Sequence, residues 1–222
     1  MTVTWLRHGR MDLALHRLRE GEGRPLLLLH GLGERTPEVA PRWTDPWPGP
    51  VVGLDFTGHG LSTIPSGGGY TAEMLLCDAD AALAELGEVT LVGRGLGAYI
   101  ALMLSGARAQ PVHGAILCDG PGIAGGGIQP GSPFVATPPL GRDTAPDPFA
   151  MIELARDVRP PDYALNFLRS AFEGSTVADP VTVSAVVKPE WLAAVAAEAG
   201  VVSSNREAAL EAYAASGPSV GG

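Results

Sequence analysis

Four short apolar runs, each ending at or near a turn-forming sequence, limit what this chain can fold into. Residues 25–30 (PLLLLH), 51–55 (VVGLD), 89–92 (VTLV) and 114–118 (GAILC) carry almost no polar side chain. A run this short and this uniformly apolar marks a strand covered on both faces. Helical patterns lie between the runs. Thr71 is placed to cap a helix reaching Leu86, with Met74, Leu75, Asp78, Ala82 and Leu86 at helical spacings. Residues 96–108 (LGAYIALMLSGAR) predict a small-residue helix able to pack tightly on a sheet. Strands alternating with helices imply an α/β fold with a mostly parallel, doubly wound sheet and its functional site at the carboxyl ends of the strands.

The remaining segments complete that plan. Residues 2–6 and 12–19 alternate apolar and polar positions, as an edge strand or antiparallel pair does. Residues 120–148 are rich in Gly and Pro without a period, and lead into helical stretches at 149–158 and 162–172. An apolar run at 181–187, a helix at 189–199, an apolar step at Val201 and Val202 and a helix at 205–215 follow. No internal repeat or heptad pattern is present. The chain divides into residues 1–119 and 176–222, two parts of one core, around an insertion at 120–175. That insertion is expected to be a cap or lid over the strand ends, or else a surface loop.

Composition narrows the partners. The net charge is −9, which disfavours nucleic acid or an anionic membrane surface, since both select a basic footprint. Two cysteines, Cys77 and Cys118, make no disulfide framework and fit a reducing compartment. Early charges at Arg7, Arg10 and Asp12 argue against a signal peptide, and the longest apolar runs are too short to span a bilayer. A cytoplasmic location is the expectation.

Three segments carry motifs. Residues 26–34 (LLLLHGLGE) end a strand in His-Gly-x-Gly, residues 51–62 read VVGLDFTGHGLS, and residues 90–104 read TLVGRGLGAYIALML. In this order and spacing, with a cap-like insertion after them, they resemble the α/β-hydrolase superfamily, to which the chain is similar along nearly its whole length. The resemblance implies that the turn at Gly31–Leu32 supplies one backbone N–H of an oxyanion hole, and that residues 93–97 form the nucleophile elbow. The elbow requires Gly-x-Ser-x-Gly. Here it is Gly93-Arg94-Gly95-Leu96-Gly97, with Gly95 at the nucleophile position. Glycine has no side chain with which to attack a carbonyl.

The other triad positions are depleted too. The resemblance places the histidine in the loop after the last strand, yet residues 202–205 (VSSN) hold none, and all five histidines lie at or before residue 113. For the acid, Glu190 and Asp119 occupy the two positions used in the family. Glu190 is also placed where a helix dipole favours an acid, and Asp119 where a carboxylate caps a turn. Asp55 and His59 are expected to hold a strand-to-helix turn. The backbone N–H groups of Leu32 and Leu96, with the flanking Gly31 and Gly95, are the expected oxyanion or ligand-binding elements. His30, Arg94, Cys118 and Asp119 are expected around the pocket, with Cys118 read chiefly as a buried apolar residue. Trp43 and Trp47 are expected at a pocket edge or over the sheet.

No metal is expected, because His-x-His, Cys-x-x-Cys and a compact acid/histidine cluster are all missing from the sequence. No cofactor is expected either: Gly93-x-Gly95-x-Gly97 is not a dinucleotide fingerprint. Two functional readings follow. One is a non-catalytic member of the superfamily, a pseudoenzyme with a degenerate triad, binding a small apolar or carbonyl-bearing ligand or a protein partner. The other is an enzyme of non-serine mechanism, a lyase, cyclase or atypical hydrolase, with Asp119 or Glu190 as acid/base. A buried Asp119 among apolar walls would favour the second; an exposed or bonded one would favour the first.

Overall fold

The computed structural model of the protein describes residues 2–125, 145–157 and 159–216. Its eight strands are β1 (Thr2–His8), β2 (Met11–Arg19), β3 (Leu26–Leu29), β4 (Val51–Leu54), β5 (Val89–Arg94), β6 (Val112–Cys118), β7 (Val181–Ser184) and β8 (Val202–Ser203). They form one sheet in the order β1-β2-β4-β3-β5-β6-β7-β8. β1 and β2 make the antiparallel pair that their alternation predicts, and β2 joins β4 antiparallel. From β4 onward every pairing is parallel.

The apolar runs are uniform because both faces of the sheet are covered. Along β3, Leu27 and Leu29 enter the larger core with residues of α1 (Ala72–Leu86) and α2 (Leu96–Ala107). Leu26 and Leu28 point the other way, onto Trp47 and α6 (Arg206–Ala215). The helix α1 begins at Thr71, whose hydroxyl accepts the N–H of Met74. A short 3-10 turn at Arg42–Thr44 was not legible as an element in the sequence. Beside it, Trp47 is buried over the sheet and its indole N–H donates to the Arg24 carbonyl.

Residues 126–144, more than a third of the expected 120–175 insertion, lie outside the described residues. Of the remainder, α3 (Pro148–Arg156) sits near the carboxyl ends of β3 and β4. Just before it, the Asp147 N–H donates to the Gly58 carbonyl, and Glu153 accepts the N–H groups of Gly69 and Tyr70. By contrast α4 (Pro161–Gly174) packs along α2 and α5 (Glu190–Ala197) in the helical layer.

One run was read too long. The apolar stretch 181–187 is a strand only to Ser184. Val186 is 91% exposed, and the N–H groups of Val186 and Val187 turn to the Asp119 carboxylate instead of a neighbouring strand.

The centre of the fold is α2, buried at every residue from Leu96 to Ser105. Its small residues are what allow that depth. A Cβ at Gly97 would lie 2.2 Å from the Leu29 carbonyl oxygen, so the helix can approach β3 this closely only with hydrogen at that position. Gly97→Ala gains helix propensity but must push α2 off rigid backbone, and overpacking of this kind dominates. Chemical denaturation of Gly97→Ala should give a stability lower than the native protein's by about 1–3 kcal/mol; an equal or higher value would contradict this account of the packing.

Candidate functional site

The turn between β5 and α2 is sharp. Gly95 has φ 54° and ψ −113°, a left-handed region that disfavours any residue with a Cβ. A Cβ at Gly93 would lie 2.2 Å from the Gly97 carbonyl oxygen, so the two flanking glycines let the strand and the helix start fold against each other. At the facing turn after β3, Gly31 and Leu32 lie beside Gly95 and Leu96. The four residues expected to form the oxyanion elements are therefore brought together.

Their donors are not free. The Leu32 N–H donates to the Pro121 carbonyl oxygen at 2.9 Å, and the Leu96 N–H donates to the same oxygen at 3.0 Å. The segment after β6 crosses the site as a strap. A Cβ on Gly95 would meet the Pro121 oxygen at 2.2 Å and the Gly120 carbonyl carbon at 2.5 Å, so the strap fills the space next to Gly95 as well. It is packed on both sides. A Cβ on Gly31 would strike the Pro121 ring at 2.7 Å, and one on Gly122 would strike Leu32 Cβ at 2.7 Å.

Beyond the strap, Gly122 and Gly125 exchange both backbone hydrogen bonds around Ile123 and Ala124. Those two residues hold φ 41° and 54°, each a strained value for a residue with a side chain. Burial of Ile123 and a hydrogen bond from the Trp191 indole N–H to its carbonyl hold the strained turn in place.

Beneath the turns lies a buried polar network. The Phe56 N–H donates to His30 Nε2, and His30 Nδ1–H donates to the Gly31 carbonyl, a pattern that requires a neutral ring. Burial, and next to it the neighbouring His59, push the His30 pKa down to about 3. His59 accepts the Gly33 N–H at Nε2 and faces the Thr57 carbonyl with Nδ1. Burial lowers its pKa also. The rings of His30 and His59 lie 5.0 Å apart. Asp55 accepts the N–H groups of Thr36 and Leu61 and the His16 Nε2–H. Burial opposes its ionisation, but these donors outweigh it and hold the carboxyl below the usual range. His30, His59 and Asp55 are turn-holding groups.

The remaining candidates divide. Asp119 is half-buried, and its Oδ2 accepts from Val186 and Val187 N–H at 3.3 and 3.1 Å. Glu190 is exposed in the first turn of α5. Cys118 is buried, and that burial pushes its thiol up to about 11, far from a thiolate at neutral pH. Arg94 is exposed and meets Glu34 at 3.3 Å, while Glu34 accepts the Gly31 N–H with its other oxygen. The loop after β8 brings Ser204 and Asn205 to the strand ends, with Asn205 capping α6.

Sequence reasoning missed Pro121, Glu34 and Arg206. Glu34 stands inside a quoted motif, but the Pro121 contact is made by backbone and leaves no residue-type signature. Among the described residues no group of three or more His, Cys, Asp or Glu side chains is arranged to hold a metal ion, and no helix is long and apolar enough to cross a membrane.

The sequence model of the alpha/beta hydrolase family matches residues 26–220. A hypothetical protein from Pseudomonas aeruginosa has the same fold, with a TM-score of 0.62 at 18% identity and 97% of both chains covered. An N-acyl homoserine lactone degrading enzyme matches at 24% identity and a TM-score of 0.45, over 55% of this chain and 47% of its own. A variant of the meta-cleavage product hydrolase from Pseudomonas fluorescens matches at 20% identity and a TM-score of 0.43, over 52% of this chain and 44% of its own. In three further structures the match spans 42%, 44% and 40% of the other chain, less than half its length. No curated protein matches the chain in sequence.

The buried imidazoles give the protein a pH signature. An unfolded histidine takes up a proton near pH 6.5, whereas folded His30 resists it down to about 3 and folded His59 to below its ordinary value. Between those values the unfolded state binds more protons, so stability is full above about pH 6.5 and falls as the pH drops toward 3. His30 alone contributes a slope of about 1.4 kcal/mol per pH unit once the unfolded ring is protonated. Urea midpoints between pH 6.5 and 5 should fall steadily in the native protein and less steeply in His30→Gln. Equal slopes would contradict this assignment.

Proposed function

This chain belongs to the alpha/beta hydrolase family, and from that premise we propose that it is a non-catalytic member that binds a small apolar or carbonyl-bearing ligand. The carrying observation is the Pro121 carbonyl oxygen, which accepts the N–H groups of both Leu32 and Leu96. Those are the two donors that the family aims at a developing oxyanion. Once a backbone carbonyl takes them, the preorganised electrostatic stabilisation of acyl transfer is removed. An acyl oxygen would have to displace a strap that is packed on both sides.

Other features support the same reading. Gly95 stands at the nucleophile position and relieves strain of about 1–3 kcal/mol that a serine would carry there. The loop after β8 offers Ser204 and Asn205 in place of a histidine. Asp119 is engaged with the backbone of the turn after β7 rather than with an imidazole, so it has no base to orient. The competing reading, a non-serine enzyme, draws on the place of Asp119 at a strand-end cavity. Its half-exposed, doubly bonded carboxylate lacks the apolar enclosure that would tune it for proton transfer, and Glu190 is exposed. We read residues 120–175 as an insertion whose first part, the strap, closes the old site and whose α3 covers the turns after β3 and β4. The two unpaired cysteines suit a reducing compartment such as the cytoplasm.

Short-chain p-nitrophenyl esters test this directly. The native protein should give no turnover above the buffer background. Gly95→Ser should give none either, and should be less stable, because its Cβ would lie 2.2 Å from the Pro121 oxygen. Turnover by the native protein that disappears in Asp119→Asn would overturn the proposal in favour of the enzyme reading.

A further inference from the structure

The two edges of the sheet differ. At one, β8 offers a partner only two residues. At the other, β1 runs for seven residues in unbroken register with β2, from Thr2 opposite Arg17 to His8 opposite Met11, without bulge or proline. The bonds of β2 show which way the backbone of β1 points. Asp12 N–H donates to Thr63 Oγ1 and its carbonyl accepts the Thr63 N–H. Ala14 N–H donates to Ser62 Oγ and its carbonyl accepts the Asp55 N–H. Both residues therefore turn their backbone away from β1. Residues facing each other in an antiparallel pair either exchange both bonds or both point away. Arg7 and Trp5, opposite Asp12 and Ala14, thus direct N–H and C=O to the open edge, and Val3 does so by alternation. Among the described residues no other backbone group meets them.

A strand edge of this kind is normally blunted by charge, proline, a bulge or a cover. In β1 the sole Lys, Arg, Asp or Glu side chain is Arg7, and Asp12 neutralises it at 2.6 Å. Trp5, at the centre of the outward set, is 57% exposed.

We propose that β1 pairs with β1 of a second copy of this chain, antiparallel about a two-fold axis at Trp5, so that two sheets run on as one. Val3, Trp5 and Arg7 are symmetric about that axis, as an isologous contact demands. Trp5 faces Trp5 of the other copy, Val3 faces the other copy's Arg7, and each facing pair exchanges both its hydrogen bonds. No like charges meet.

Charge favours this occupant and this direction. At the Thr2 end of β1, Arg17 meets Glu20 at 3.3 Å and Arg19 is turned inward onto the Thr44 and Trp47 carbonyls, which leaves the exposed Glu22. At the His8 end, with Arg7 held by Asp12, the exposed Arg10 is left. Antiparallel self-pairing brings the Arg10 end of each copy to the Glu22 end of the other, whereas parallel pairing sets like with like. A single ladder is at the small end of interface size, so the dimer forms in a concentration-dependent equilibrium.

Sedimentation velocity of the full chain between about 5 µM and about 500 µM, with amide exchange followed by NMR at both extremes, tests the pairing. The native protein should pass from monomer to dimer. The amides of Val3, Trp5 and Arg7 should exchange at least about tenfold more slowly in the concentrated sample, while those of Thr4 and Leu6, which point into β2, stay protected in both. Trp5→Lys sets two like charges face to face and should remain monomeric. Val3→Pro removes an outward donor that β2 does not use, so it spares the β1–β2 ladder and should weaken dimerisation about tenfold or more. That second variant and the native exchange pattern keep the test valid even if Trp5→Lys fails to fold. A chain still monomeric at the highest concentration overturns the proposal and leaves the edge to an extended segment of a different protein. A dimer that neither variant weakens, or that protects none of the three outward amides, overturns it as well.

Discussion

Two backbone N–H groups, one at the turn after β3 and one at the first residue of α2, converge on a single carbonyl oxygen. That meeting of Leu32, Leu96 and Pro121 ties three parallel strands together at their carboxyl ends, because Pro121 follows β6, Leu32 follows β3 and Leu96 follows β5. Buried donors need partners, and each left unmade costs about 1–3 kcal/mol. In a catalytic site such donors are kept open for a transition state and the cost is accepted. Here the Pro121 carbonyl satisfies both, so a structural bond stands at this point of the fold.

Glycine makes that arrangement possible. The strap lies where a Cβ on Gly31, Gly95 or Gly122 would collide with it or its supports, so all three must lack side chains for Pro121 to reach both donors. Strain appears instead one turn further on, at Ile123 and Ala124, where burial and the Trp191 hydrogen bond hold unfavourable dihedrals in place. Beneath the strap, two neutral imidazoles fix the turns: His30 donates to the Gly31 carbonyl and His59 accepts the Gly33 N–H. Histidines that look reactive in the motif therefore act as parts of the frame.

Much of this was legible in the sequence. Short apolar runs gave the strands because both sheet faces are covered, and Thr71 and the small-residue helix behaved as their side chains dictate. The run at 181–187 misled because apolar composition does not record that Asp119 draws the N–H groups of Val186 and Val187 out of the strand. Glycine at position 95 could be read directly, and so could the lack of a histidine beyond residue 113. The strap could not be read: it depends on backbone atoms of residues far apart in sequence, Pro121 with Leu32 and Leu96, and Pro121 in a Gly/Pro-rich stretch carries no chemical signal of its role. Arg206 escaped notice for a related reason, since only the fold brings α6 beside Arg94 and Trp43.

Whether the donors are truly closed decides the account. Scalar coupling across hydrogen bonds, read by a long-range HNCO experiment on deuterated protein, reports directly on which carbonyl each amide meets. The account predicts correlations from the amides of both Leu32 and Leu96 to the Pro121 carbonyl carbon. Absence of both, with the two amides exchanging with solvent as freely as those of exposed loops, would mean that the two donors stand open, and would contradict the central claim.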